Sequence, residues 1–350
     1  MNNYIWYILL LLNILLSACT NHFDNPIKHF DGKPVKRLYP TNITNLEEFG
    51  ILRPVLFTQI DSNNFIFHDL RNENIFKLVN LSSKKAISGV NKGQGPNDVL
   101  APSCLIYRNN QILVWDAMQK RMNEILLLSD SVLTINEAYR IDTEVIILYK
   151  VHLLDSTFIV TGKFDDYWLA EMNKDGTIRA TIDYPIRKET KDIPKTALPQ
   201  LYSSSARIAS SPNNNKIVVT IGRQGLISLI NNTKTGIKEY KQIKYHAPKF
   251  TVFGEMVSTS ALTKDNIEGF WAVDCDDKYV YTIYSGRSFN THQMLFHQCE
   301  HLLVYDWEGN PVKRYILDIP LFNSISYNKE KNCIYGIAEN PEGVLVEYQL

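Results

Sequence analysis

No apolar run in this 350-residue chain is long enough to cross a bilayer, which takes roughly 20 residues. Charge of either sign is not in excess. Thirty-seven Lys and Arg face 37 Asp and Glu, so no global field draws the chain to nucleic acid or to an acidic surface. Long amphipathic helical stretches are scarce, which argues against a helical bundle. A Gly-x-Ser-x-Gly elbow is lacking, so the commonest serine-hydrolase arrangement has no nucleophile here. Cysteines are few. Beyond Cys19 there are Cys104, Cys275, Cys299 and Cys333, and a chain of this length builds enough core to need no covalent staple. Buried, inert thiols are the expectation; if a disulfide forms in an oxidising compartment, Cys275 with Cys299 is the pair to test.

What is present begins with an address. Residues 8–16 form an apolar segment of signal-peptide length that ends in Leu16-Ser17-Ala18-Cys19. Small residues just before a cysteine resemble the lipobox of bacterial lipoproteins, in which the peptide is cut before the cysteine and its thiol is acylated. Lys and Arg are absent before the segment, so the amino terminus alone supplies its positive charge. The sequence therefore predicts a signal peptide over 1–18, a lipidated tether over 19–26 attached through Cys19, and a folded domain over 27–350. The expected location is the cell envelope, on the periplasmic side or at the outer membrane.

Tyr, Phe, Ile, Val and Thr are abundant, and short apolar runs alternate with Asn, Asp, Gly and Ser clusters, the pattern of strands and turns. Six runs recur: Phe65-Ile66-Phe67, Ile112-Leu113-Val114, Phe158-Ile159-Val160, Ile217-Val218-Val219, Val280-Tyr281-Thr282 and Ile334-Tyr335-Gly336. Each follows a polar turn and precedes a loop and a second apolar run. The spacing of roughly 45–65 residues suits propeller blades with some long loops. The expected fold is all-β, a six-bladed β-propeller of four-stranded blades.

The last unit stops at Leu350 without a fourth strand. Near the start, Asp31-Gly32-Lys33-Pro34-Val35-Lys36-Arg37 echoes Glu308-Gly309-Asn310-Pro311-Val312-Lys313-Arg314. The N-terminal segment is thus expected to close the last blade and cover an edge that would otherwise pair with another chain. The tether would then leave from the rim of that blade.

Together with Lys92-Gly93-Gln94-Gly95-Pro96, and with Tyr284-Ser285-Gly286-Arg287 leading to Tyr305-Asp306-Trp307-Glu308-Gly309, these features resemble the TolB-like six-bladed propeller lipoproteins of Bacteroides-type bacteria. The resemblance spans the mature chain and implies the fold and the address. It carries no activity.

Candidate chemistry is sparse. Gly93-Gln94-Gly95-Pro96 lacks the Gly-Lys-Ser/Thr of a phosphate loop and reads as a tight link between blades. Asp274-Cys275-Asp276-Asp277 lacks the glycine and distal glutamate of a calcium loop and falls where other blades turn. His292, His297, Cys299 and His301 sit in one insertion, and imidazole with thiolate suits zinc or copper, but their spacing matches no zinc signature.

Blade connectivity sharpens the reading. The loop between strands two and three opens on the same face as the link to the next blade. The long segments 187–204, 246–268 and 285–301 all fall there, and long loops on a rigid scaffold are where binding usually resides. That face also receives Arg71, Arg121, Asp165, Asp166, Tyr167, Arg223 and Arg287, a mixture of charge and aromatics suited to a polar partner. The sequence reading is a monomeric, non-enzymatic envelope lipoprotein without a cofactor, holding a protein, peptide or glycan on this face and the membrane through Cys19. The alternative is a calcium- or zinc-dependent hydrolase or lyase working in the central channel.

Overall fold

The computed structural model describes residues 25–129, 131–141, 147–186, 191, 193–251, 262–339 and 342–350. The expected signal peptide over 1–18 and Cys19 lie outside the described residues. Two short strands come first, β1 (Val35–Leu38) and β2 (Asn42–Asn45). Blade one is β3 (Pro54–Gln59), β4 (Asn64–Asp69), β5 (Asn74–Asn80) and β6 (Lys85–Asn91). Blade two is β7 (Pro102–Arg108), β8 (Gln111–Asp116), β9 (Arg121–Ser129) and β10 (Val132–Arg140). Blade three is β11 (Leu148–Leu153), β12 (Thr157–Gly162), β13 (Tyr167–Asn173) and β14 (Ile178–Asp183). Blade four is β15 (Ala206–Ser210), β16 (Lys216–Ile221), β17 (Leu226–Thr233) and β18 (Gly236–Lys244).

Blade five uses β19 (Phe270–Cys275), β20 (Tyr279–Tyr284), β21 (Cys299–Asp306) and the first half of β22 (Pro311–Asn328). The second half of β22 bends into blade six as its inner strand and pairs with β23 (Cys333–Glu339), which pairs with β24 (Glu342–Gln349). All six apolar runs picked from the sequence are second strands. They read as continuous apolar stretches because both of their faces are covered by neighbouring blades; every residue of β12, for example, is buried.

The blades hold one another through six apolar clusters, one per interface. Trp115 and Phe158 join blades two and three, Trp168 and Val219 join three and four, and Phe65 meets Tyr335 edge-on where blade six returns to blade one. Between blades one and two the contact is close enough to demand glycine. A Cβ on Gly89 would lie 2.0 Å from the Leu133 carbonyl oxygen.

Ring closure by an N-terminal strand holds, but the strand is not the one that the echo points to. β2 pairs antiparallel with β24, Asn42 opposite Glu347 and Asn45 opposite Val344, and supplies the fourth strand of blade six. The echoing segment instead forms β1, which lies parallel along the outer edge of blade five, Val35 opposite Arg314 and Leu38 opposite Leu317. Its likeness to residues 308–314 is a likeness to the strand beside it. The point where the chain joins the propeller moves accordingly. A short helix, α1 (Pro26–His29), is capped by Asn25. Phe30 beyond it is buried between blades four and five, its ring 5.1 Å from that of Tyr305.

The cysteines within the described residues are free thiols. Cys275 ends β19 and Cys299 begins β21, at opposite ends of blade five.

Candidate functional site

Described parts of two of the long segments meet on one face. Segment 285–298 lies against residues 262–268, with Asn290 N–H donating to the Lys264 carbonyl at 3.0 Å and Glu268 N–H to the Arg287 carbonyl at 2.8 Å. Part of segment 187–204 is not surface at all. It folds into α2 (Leu198–Tyr202), whose Leu201 and Tyr202 fill the core between blades three and four. Shorter loops of this face are tied down by buried carboxylates. Asp116 accepts four backbone N–H groups, those of Leu100, Ala101, Met118 and Gln119. Asp69 does the same for Leu52, Arg53 and Arg71.

The residues expected to present on this face do not form one patch. Arg121 is only 6% exposed; its guanidinium donates to the carbonyls of Gly95, Pro96 and Asp98, so it shapes the glycine link. Arg71 is an exposed turn residue. Asp166 pairs with Lys195 at 2.7 Å, both about three-quarters exposed, a geometry that contributes little in water. Asp165 is exposed beside it, and Tyr167 leans on Phe164 with ring centroids 4.5 Å apart. Arg287 is bound to Glu300 and to the Leu295 carbonyl. Arg223 alone reaches the centre of the face, where it lines the mouth of the channel.

That channel is walled by the inner strands β3, β7, β11, β15, β19 and the second half of β22, and encloses about 300 Å³. On the long-loop face it widens into a cavity of about 400 Å³ lined by His68, Ser103, Lys150, Ser205, Arg207, Arg223, Trp271 and Asn323 among others, with no carboxylate in the lining. The two ends differ in how their polar groups are satisfied. At the far end, Ser210 Oγ meets Arg108 Nη1 and His152 Nε2, each at 2.9 Å, and Asn214 at 3.0 Å, while Asn214 donates to Asp155. Asp274 accepts from the backbone N–H of Tyr327 at 2.7 Å and of Cys275 at 2.8 Å. Burial still pushes its carboxyl up to about 6.

At the mouth, Lys150 and Arg207 hydrogen-bond only neutral groups among the described residues. Lys150 Nζ donates to the Ser103 carbonyl at 2.7 Å. Arg207 spans the channel wall, donating to the Trp271 carbonyl at 2.9 Å, to the Ala206 carbonyl at 3.1 Å and to Asn323 Oδ1 at 2.6 Å. Desolvation lowers Lys150 to about 8, helped by Arg207, and lowers Arg207 to about 10, helped by Arg223. Arg223 has Glu268 near it, whose carboxyl burial raises to about 7 against the pull of that guanidinium. His68 is desolvated to about 4 and is therefore neutral. Its Nδ1 and the Ser205 hydroxyl are buried without a partner among the described residues.

The residues that carry this site, Lys150, Arg207, Trp271, Asn323 and His68, are absent from the sequence expectation. All but His68 lie on inner strands, where polar residues such as Lys150, Arg207 and Asn323 are interleaved with apolar ones. A charge of period two with apolar neighbours, as in Leu148-Tyr149-Lys150-Val151-His152-Leu153 just before a turn, is the signal available.

The histidine insertion is dispersed. His292 is exposed and bonds Thr291 at 2.7 Å, His297 Nε2 meets Glu339 at 2.5 Å, and Cys299 is buried with its thiol at 3.5 Å from the His297 carbonyl. His301 is half-buried and desolvated to about 4. Among the described residues, no three His, Cys, Asp or Glu side chains come together in a way that could hold a metal ion.

A family model described as TolB-like 6-blade propeller-like matches residues 31–323. No curated protein sequence matches the chain. Among solved structures, a DUF4221-family member from Bacteroides vulgatus aligns with a TM-score of 0.58 at 12% identity, covering 89% of this chain and 97% of that one. Regucalcin from Agrobacterium tumefaciens, a calcium-binding protein, aligns at 0.52 and 12% identity, covering 90% and 95%. A luciferin-regenerating enzyme aligns at 0.51 and 9% identity, covering 88% and 95%. At these identities the likeness is one of fold.

Proposed function

The chain belongs to the TolB-like 6-blade propeller-like family, and from that premise we propose that it is a non-enzymatic binding module of the cell envelope. It is held to the membrane by lipid on Cys19 and engages a protein, peptide or glycan on its long-loop face. The observation that carries the reading is positional. The described parts of the long segments, residues 262–268 packed on 285–298 and Ser204 at the end of 187–204, border the wide mouth of the channel, and concave sites with a few convergent polar groups are where ligands are usually taken. The sign of the charge supports binding over the metal-dependent alternative. Lys150, Arg207 and Arg223 repel calcium or zinc at the mouth, where His68 is the one imidazole in a lining without carboxylates, short of the three or more ligands a Lewis-acid site needs.

The test is capture of envelope components on the purified protein, with and without residues 288–296. Loss of a saturable partner on deleting the loop supports the reading, and an unchanged partner set removes that loop from the site. Stoichiometric calcium or zinc, lost together with turnover of a substrate when channel residues are changed, would replace this reading with the hydrolase or lyase.

A further inference from the structure

We propose that the mouth of the channel is an oxyanion site, taking the carboxylate, sulfate or phosphate group of a ligand through Lys150 and Arg223, with His68 and Ser205 as neutral donors and Arg207 fixed behind them. The inference rests on the binding reading above and names the chemistry of its centre.

Three features lead to it. The first is uncompensated charge. Lys150 and Arg207 occupy the same level of the channel wall, bond only neutral groups, and among the described residues have no carboxylate within ion-pair distance. Both are partly withdrawn from water, and cationic groups so placed without a counter-charge are costly to the fold, so their place needs a reason other than stability. Arg207 has a structural one, since its guanidinium stitches β15 to β19 and β22. Lys150 does not. An ammonium offers three donors, and its one hydrogen bond within the described residues is to Ser103.

The second feature is the set of unpaired neutral donors. His68 and Ser205, 4% and 5% exposed, line the same cavity, and among the described residues His68 Nδ1 and Ser205 Oγ have no hydrogen-bond partner. A buried polar atom without a partner is uncommon and calls for one. The neutral His68 ring carries an N–H that one tautomer places on Nδ1, and the hydroxyl can rotate to donate.

The third is where the acids stand. The facing groups are Glu268 beside Arg223 at the rim and Asp274 at the far end of the channel, where backbone N–H groups hold it. Neither neutralises Lys150 or Arg207. Trp271, which carries Arg207 at 5.5 Å from its ring, gives the cavity an aromatic wall, and about 400 Å³ is room for a sugar ring or a short peptide end around the anionic group.

The experiment is a titration of the full mature protein in detergent with glucuronate, glucose 6-sulfate, inorganic phosphate and neutral glucose. Ionic strength is held constant with sodium chloride, and calorimetry and thermal shift are read together. At least one oxyanion is expected to bind saturably while glucose does not, and the one that binds identifies the source of the charge. Lys150→Met, which keeps the stem and removes the ammonium, should weaken that binding about tenfold or more, and Arg223→Gln severalfold. Lys150→Met should unfold no earlier than the parent protein, so a loss of binding is not a loss of fold. Absence of saturable binding by all three anions, or binding that Lys150→Met leaves unchanged, overturns the inference. Partner capture on the loops is read separately, so a failed anion titration and a failed binding module give different results.

Discussion

Arg207 Nη2 donates to Asn323 Oδ1 at 2.6 Å, and Asn323 Nδ2 in turn donates to the Val55 carbonyl at 2.7 Å. One side chain therefore ties blade four to blade six and blade six to blade one. Asn323 does this from a left-handed backbone, φ 61°, a conformation that asparagine tolerates better than most residues. Asn323→Ala should strand a guanidinium donor and a carbonyl and strain the backbone, costing about 2–4 kcal/mol by urea denaturation. A cost under about 0.5 kcal/mol would mean that the bridge is idle.

Asp274 gives a pH signature. Burial raises its folded value from the ordinary 3.8 to about 6. The folded state therefore holds the proton more tightly than the unfolded chain. The resulting stabilisation is complete below pH 4 and is lost as pH rises through 6. Asp274→Asn cannot titrate. The difference in stability between the parent and this variant should move by on the order of 1–3 kcal/mol toward the variant between pH 4 and pH 8. A difference that stays flat across urea midpoints at pH 4, 6 and 8 contradicts the assignment.

Gly89→Ala should be among the more damaging small substitutions in the chain. The added methyl meets the Leu133 carbonyl oxygen at 2.0 Å, and among the described residues the backbone pairing between β6 and β10 runs through Ser88 and Gly89. Parting these strands is expected to cost about 3 kcal/mol or more. A melting temperature within a degree of the parent's would show that the two blades separate freely.

The two N-terminal strands can be told apart by truncation. A chain beginning at residue 40 loses α1, Phe30 and β1 but keeps β2. A chain beginning at residue 46 also loses the partner of β24. The first should remain a folded monomer of lower stability. The second leaves the outer edge of blade six unpaired and should associate or aggregate. Aggregation of both would assign closure to β1 after all, and two folded monomers would show that β2 is not the strand that protects this edge.

The blades were legible in the sequence because their second strands are buried on both faces, so runs such as Phe158-Ile159-Val160 have nothing polar to interrupt them. The inner strands were not. β7 is half-exposed at every position, and Lys150 in β11 reads as a surface residue until the fold turns that strand toward an enclosed channel. Arg121 failed in the opposite sense. A charge at the head of a strand suggests solvent, yet three carbonyls of the glycine link surround it. β2 was missed because Asn42-Ile43-Thr44-Asn45 holds one apolar residue and sits at an exposed edge, whereas the better-patterned β1 drew attention by resembling its neighbour.

The order of these two strands has a mechanical consequence. Tension applied to the chain upstream of Asn25 first meets Phe30, wedged between blades four and five, and then the four-residue parallel register of β1 on β22. Only after both have yielded does the load reach β2, the latch that keeps the ring shut. A pull from that end is thus absorbed by elements the propeller can lose, and the closed ring is insulated from it.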